Sequence, residues 1–488
     1  MKKQPKFIFL LVALTSLFFA CSSDDDTTTE PEKPAEVALE SFGFYKEDNT
    51  QLLEDYVVEN IEGDEVKIAL PAEVDKTSLI ARFTTSANDK VTVGGVEQVS
   101  GVTANNFSAP LEYILNEGNK NVIYTIKVTD KAYAVWSILP AFDMEVTDIS
   151  MSVNPTNSNP AIAYVSNPES SSDRKLNLIS FDGNQWGHIG AENFTPARAR
   201  NVNLAYKKDG TPLVSFRDDN LDPSQISVMG YQSNTWDYVG TPGISGVKAS
   251  HGVISTDTEG NIYDFYIHDD NSDPANKRSI FAKTYKGAAW AELPITGRTG
   301  AAIVIKTKEA NGNIYLLALN FGDLQSISVY KYDGNNWTTL ADQMKDSPEN
   351  TISYREASFA IDAQGNVYVA YAENNGEGTE AQLKVKKYTA ETQSWSTLGS
   401  NIVTTSLRSF DIAVDAYANP MVLYKNDTEN PVVVSFDNKT YNWGETTVLS
   451  NLEADDLQIT VAPNGVGYAS YKVENQLYVH KYDSPDNN

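Results

Sequence analysis

Seven tryptophans, Trp136, Trp186, Trp236, Trp290, Trp337, Trp395 and Trp443, recur at intervals of 47 to 58 residues, and the chain has no others. A period near 50 in strand-rich sequence limits the chain to stacked or ringed supersecondary units, each burying its apolar face only against its neighbours. Strand content is expected because the chain is rich in Tyr (26) and Phe (18), and because Gly, Asn and Asp punctuate short apolar runs. Three landmarks keep phase with the tryptophans. One is an apolar run before a turn, as in Val202–Tyr206 before Asp209-Gly210, or Ser358–Ile361 before Gln364-Gly365. The next is a strand just after that turn, such as Val367–Tyr371 or Met421–Tyr424. The third leads through Asp-Gly-Asn to the tryptophan, as in Leu178–Trp186 and Val329–Trp337. Asp-Gly supplies the positive-φ residues of a tight hairpin.

Each repeat therefore reads as four antiparallel strands, a to d, with the tryptophan on d. Seven a–b–c sets can be counted. The last, Asp456–Tyr482, ends before any tryptophan, while Tyr133–Leu139 is a d strand with no a–b–c of its own. The expected architecture of residues 131–488 is a seven-bladed β-propeller closed by the strand at 133–139, since ring closure removes exposed strand edges.

The chain opens with Lys2, Lys3 and Lys6, then an apolar run from Phe7 to Ala20 that is too short to span a bilayer comfortably. Leu17-Phe18-Phe19-Ala20-Cys21 resembles the lipobox of bacterial lipoproteins, which implies cleavage before Cys21 and its acylation. Ser22-Ser23-Asp24-Asp25-Asp26 resembles the acidic export signal of Bacteroidota surface lipoproteins. The expected domains are a signal peptide at 1–20, a disordered tether at 21–36 and a small sandwich at 37–130. In the sandwich, Leu70-Pro71, Val74-Asp75, Phe83-Thr84, Asn106-Phe107-Ser108 and Tyr124–Val128 resemble the Ig-like β-sandwich spacer of those lipoproteins. The fold expectation is all-β: a seven-bladed β-propeller preceded by an Ig-like β-sandwich. The resemblance implies a lipid-anchored protein of the outer membrane, facing the cell exterior. A net charge of -27 disfavours nucleic acid as a partner. A single cysteine excludes an intrachain disulfide.

The arginines mark the candidate site. Arg198, Arg200, Arg298, Arg355 and Arg408 fall in d–a segments, and Arg174, Arg217 and Arg278 in b–c segments. In an antiparallel repeat these segments share one face, and variable loops on a rigid scaffold carry function. A guanidinium binds carboxylate or sulfate through a planar fork. The candidate ligand-binding residues are Arg198, Arg200, Arg217, His251, Arg298, Tyr354, Arg355 and Arg408. The alternative is that the arginines pair with local acids such as Asp219 and Glu356. Two loops, Asp218-Asp219-Asn220-Leu221-Asp222 and Asp269-Asp270-Asn271-Ser272-Asp273, echo each other. Asp218, Asn220, Asp222, Asp269, Asn271 and Asp273 offer alternating oxygens suited to a structural Ca²⁺, although Asx turns explain them as well; no other cofactor is expected. No nucleophile or phosphate-loop motif is present. The leading expectation is a non-catalytic surface protein that binds a carbohydrate or protein ligand through the arginine face. The alternatives are a lyase or other enzyme degrading acidic glycans, with a His or Tyr base beside an Arg, and an accessory subunit of an outer-membrane transport complex.

Overall fold

The computed structural model describes residues 37–86, 90–117, 120–297, 300–322, 325–374, 381–402 and 408–487. The signal peptide, Cys21 and the tether lie outside the described residues. Among those described, no helix is long and apolar enough to cross a membrane.

The N-terminal module packs a four-stranded sheet (Leu39–Phe44, Tyr56–Glu59, Leu79–Thr85, Ala104–Asn105) against a five-stranded one. Its core is aromatic: Phe42, Phe44, Phe107 and Tyr113 are fully buried, and Phe44 meets Phe107 edge-on at 4.9 Å. Glu65–Leu70 runs parallel to Lys120–Asp130 along the edge of the larger sheet.

Residues 135–483 form seven repeating sheet units. Their innermost strands are Phe142–Val153, Ala199–Tyr206, Ala249–Thr256, Ala302–Ala310, Thr351–Ile361, Phe410–Val414 and Asp455–Val461. These contact one another in chain order, and the last contacts the first. Polar side chains join them. Leu204 N–H donates to Ser150 (2.9 Å), Ile254 N–H to Asn203 (2.9 Å) and Ile459 N–H to Asp411 (2.9 Å). Gln458 links unit 7 to unit 1, accepting from Met151 N–H at 2.6 Å and donating to Ile149 C=O at 2.8 Å. A backbone group that no ladder reaches is thus satisfied by the neighbouring unit's side chain.

The tryptophans tie the outer strands together. The indole N–H groups of Trp236, Trp290 and Trp395 donate to the carbonyls of Ile189, Val239 and Leu340 in the preceding unit, at 2.7–2.8 Å. Trp186 does the same to Pro140, at 3.0 Å.

These observations correct the expected fold. The chain is all-β with open sheets, and the seven-bladed β-propeller with an Ig-like sandwich does not stand in the form stated. No sheet closes on itself among the described residues. Units 1 and 7 are not separate blades, because Phe142↔Leu477 and Glu145↔Gln476 pairing joins them into one eight-stranded sheet. The cause is the length of Phe142–Val153. Its 12 residues, bent by a register shift between Val146 and Ile149, serve unit 7 with one half and unit 1 with the other. Val135–Ile138 adds to the same sheet beside Gln476–Asp483. In unit 6 the outer strand is split into Asn442–Trp443 and Thr447–Val448. The parallel edge pair separates the N-terminal module from a wholly antiparallel Ig-like sandwich.

Candidate functional site

The innermost strands of all seven units line one cavity of about 700 Å³. Its wall includes Asp148, Asn201, His251, Lys306, Lys308, Glu356, Asp411 and Asp456. A register shift interrupts the inner strands at Arg200/Asn203, Ser250/Val253, Ile352/Ala357 and Asp455/Gln458. At these bulges Asn201, His251 and Asp456 adopt left-handed backbone, with φ of 52°, 54° and 53°. A bulge breaks the in–out alternation of a strand and re-aims a side chain. Here it puts a polar residue on the cavity wall at the start of each of these strands.

His251 is half-buried, with Nδ1 3.0 Å from the Ser250 hydroxyl. Burial and then the charge of Arg278, with a smaller contribution from Arg217, lower its pKa from the usual 6.5, against an opposing pull from Asp269. Its imidazole is therefore neutral at pH 7.

Beside it, three arginines converge on one carboxylate. Arg200 Nη2 lies 2.7 Å from Asp219 Oδ2, Arg217 Nε 3.5 Å from Oδ1, and Arg198 Nε 3.8 Å from Oδ2. Arg200 and Arg217 stand opposite each other across the inner pair of unit 2. Burial alone would raise Asp219, but hydrogen bonds from Arg200 and Ser224 and the charges of Arg200 and Arg217 outweigh it and hold the carboxyl below its usual value.

A second cluster lies on the wall formed by units 4 to 6. Lys306 Nζ stands 3.6 Å from Glu356 Oε1 and 3.7 Å from Asp411 Oδ1. Asp411 also accepts from Ser358 Oγ and from Ile459 N–H. Burial pushes the Glu356 carboxyl up to about 6, with Lys306 opposing and Asp411 adding to the rise. Burial alone would lower Lys306, but Asp411 and Glu356 more than compensate and raise it. Lys308 touches the water of the cavity yet is ringed by protein, and this desolvation lowers its pKa.

The structure thus brings Arg198, Arg200 and Arg217 together at Asp219, with Arg217 within electrostatic reach of His251; His251 lines the cavity and the three arginines stand outside its lining. Arg298 and the side chains of Tyr354 and Arg355 lie outside the described residues. Arg408 is exposed and has a partner of its own. Arg174 donates to Asn167 at 2.8 Å, and Arg278 lies over the Phe321 ring. In the loops read as calcium candidates, Asp218 is buried and accepts from Ser227, Tyr238 and Asn220 N–H, all at 2.9 Å. Asp273 accepts from Asn276 at 2.8 Å, and its other near neighbour is His268 at 3.8 Å. Asp222 precedes Pro223, and Asp269 N–H donates to Lys248 C=O. Among the described residues no group of three or more His, Cys, Asp or Glu could hold a metal ion. Lys306 and Asp411 were not singled out in the sequence. A charged residue inside the buried run Phe410–Val414 was the available signal.

No protein-family model matches the chain, and no curated protein matches it. Solved structures that it resembles include an ulvan lyase of a new polysaccharide lyase family bound to a saccharide (12% identity, 70% of this chain and 95% of that chain, TM-score 0.49). Others are an α-L-arabinanase from Penicillium chrysogenum with arabinobiose (13% identity, 72% and 98%, TM-score 0.41) and an arginine-to-alanine triple mutant of AofleA from Arthrobotrys oligospora (10% identity, 65% and 90%, TM-score 0.43). The expected kinship with Bacteroidota surface lipoproteins is corrected on these grounds. No such family is matched, and the residues that suggested lipidation lie outside those described.

Proposed function

We propose that the protein degrades acidic glycans by β-elimination at the mouth of the central cavity. The observation that carries this reading is the neutral imidazole of His251, set by a left-handed bulge on the cavity wall within electrostatic reach of Arg217. Elimination from a uronic acid polymer needs a base for the proton next to the carboxylate and a cation for the charge that grows on that carboxylate. With Nδ1 held at Ser250, Nε2 of His251 is free to take the proton, and the Arg217 guanidinium can pair with the carboxylate. The C–O bond to the departing sugar breaks, its oxygen takes a proton from water, and an unsaturated uronate remains.

This replaces the expectation of a purely non-catalytic binder. A neutral base on the wall of an open cavity, with an anion-binding group within electrostatic reach, is more than binding needs. A second reading, glycoside hydrolysis, is favoured by one observation: Glu356, raised to about 6, shares the cavity wall with a second carboxylate, Asp411. Lys306 between the two carboxylates weighs against it.

The test is incubation with polyuronates and with sulfated uronate polymers. Elimination gives product that absorbs in the ultraviolet, whereas hydrolysis gives new reducing ends without that absorbance. His251→Ala is expected to lower kcat by about 10²-fold or more. The rate should rise with pH through a pKa below the usual 6.5, because the active form of His251 is the neutral one. An unchanged rate in His251→Ala would remove His251 as the base.

A further inference from the structure

We propose that Arg198 and Arg200, organised by Asp219, form a subsite for a second anionic group of the glycan, so that the substrate class carries negative charge on neighbouring sugars. This rests on the acidic-glycan reading above and extends it. Three guanidiniums meet a single carboxylate at 2.7, 3.5 and 3.8 Å, and Asp269 acts on Arg217 only from beyond that contact. A uronate carboxylate at Arg217 therefore leaves Arg198 and Arg200 sharing Asp219, with positive charge in excess.

The surroundings make that excess costly. Like charges opposite each other on paired strands repel, and Arg200 is the register partner of Arg217. The side chains of Arg217 and Asp219 are only 16% and 15% exposed, so water screens them poorly. The Nε atoms of Arg198, Arg200 and Arg217 are buried without a hydrogen-bond acceptor among the described residues.

The exposures also divide the labour. Arg217 is the most buried of the three and is the one whose charge reaches His251, so it suits the reacting carboxylate. Arg198 and Arg200, 30% and 35% exposed, turn part of their surface to solvent and suit a group on the adjoining sugar. A planar fork accepts a carboxylate or a sulfate ester in the same bidentate way. The subsite is therefore assigned to an oxyanion, and substrates can distinguish the two sources.

The experiment compares the wild type with an Arg198→Gln/Arg200→Gln double variant on three oligosaccharides. One is a homo-oligouronate, one a uronate alternating with a sulfated sugar, and one a uronate alternating with a neutral sugar. Calorimetric binding is read alongside kcat/KM from ultraviolet absorbance. For the wild type, tighter binding of the first two than of the third is expected. In the double variant, that preference should fall at least tenfold, with the change in KM rather than kcat. The preferred member of the first pair identifies the second anion as carboxylate or sulfate. A preference that survives in the double variant, or equal binding of all three by the wild type, overturns the subsite. Binding is measured with and without Arg198→Gln/Arg200→Gln in the His251→Ala background, where elimination is blocked, so absent elimination products from the wild type would sink the proposed activity while leaving the subsite tested on its own.

Discussion

Asp264 shows how one side chain can set the pH dependence of stability. It lies in Ile262–His268, every residue of which is buried, and neither of its carboxyl oxygens has a hydrogen-bond partner among the described residues. Burial raises its pKa to about 8, against a smaller opposing influence from Ser215. The folded state therefore holds a proton that the unfolded chain releases near pH 4. The group's contribution is fully present below that pH. It is lost progressively as pH rises towards about 8 and is level above it. Asp264→Asn supplies a neutral group of the same shape. It should remove this fall and stabilise the protein by roughly 5 kcal/mol at pH 8, with little effect at pH 4. Denaturant titrations across that range check it, and a variant with the same pH slope as the wild type would refute the assignment. As with Asp411, the one mark of Asp264 in the sequence is an acid inside an apolar run, Ile262–Ile267. It reads as one acid in a chain with 65, and only the packing of unit 3 against unit 2 makes its surroundings dry.

Between elements, the tryptophan works with a glycine that it does not share a sheet with. Gly190 and Gly240 follow the carbonyls of Ile189 and Val239 that accept the next unit's indole, with φ of +79° and +75°. A Cβ on Gly190 would sit 2.6 Å from the Tyr231 ring and 2.8 Å from Trp236 Nε1. Both the left-handed backbone and the close indole thus require glycine. Gly190→Ala should cost about 2–3 kcal/mol through strain and a displaced Trp236. Gly183→Ala is the control, since it also has positive φ but nothing near its Cβ. Equal losses in thermal unfolding for the two would mean that backbone strain, not the indole, decides. The glycine recurs in the sequence, where Trp186, Trp236 and Trp395 are each followed by two residues, an apolar residue and a glycine. The period of the tryptophans revealed the units but not this joint, because the partner of each indole lies about 50 residues away.

For the whole molecule, the sequence period was enough to find seven repeating units and their inner strands, since each unit carries its own turns and apolar runs. It was not enough to find how units 1 and 7 meet. That depends on Phe142–Val153 being long enough to serve two units, and the bend that allows this falls at Thr147-Asp148, with no Gly or Pro to announce it. The site was half legible. Arginines stand out in a chain with a net charge of -27, but their convergence on Asp219 depends on a cross-strand register that spacing does not give. Lys306 and Asp411, from different units, meet only because the inner strands gather around one cavity. The junction of units 7 and 1 is therefore where the gathering is decided, and Gln458 is one of its polar links, beside Lys472, which donates to Thr147 C=O. The Gln458 amide accepts from Met151 N–H and donates to Ile149 C=O, across more than 300 residues of chain. Gln458→Ala leaves both backbone groups without that partner, at a cost of about 2–4 kcal/mol. Hydrogen exchange should then rise first at Met151 and along Asp455–Val461, ahead of units 3 to 5, because loss of the link frees the junction before it frees sheets that hold their own ladders. Uniform acceleration through all seven units would show instead that the ring of inner strands opens as one cooperative body, with no weak point between the chain's two ends.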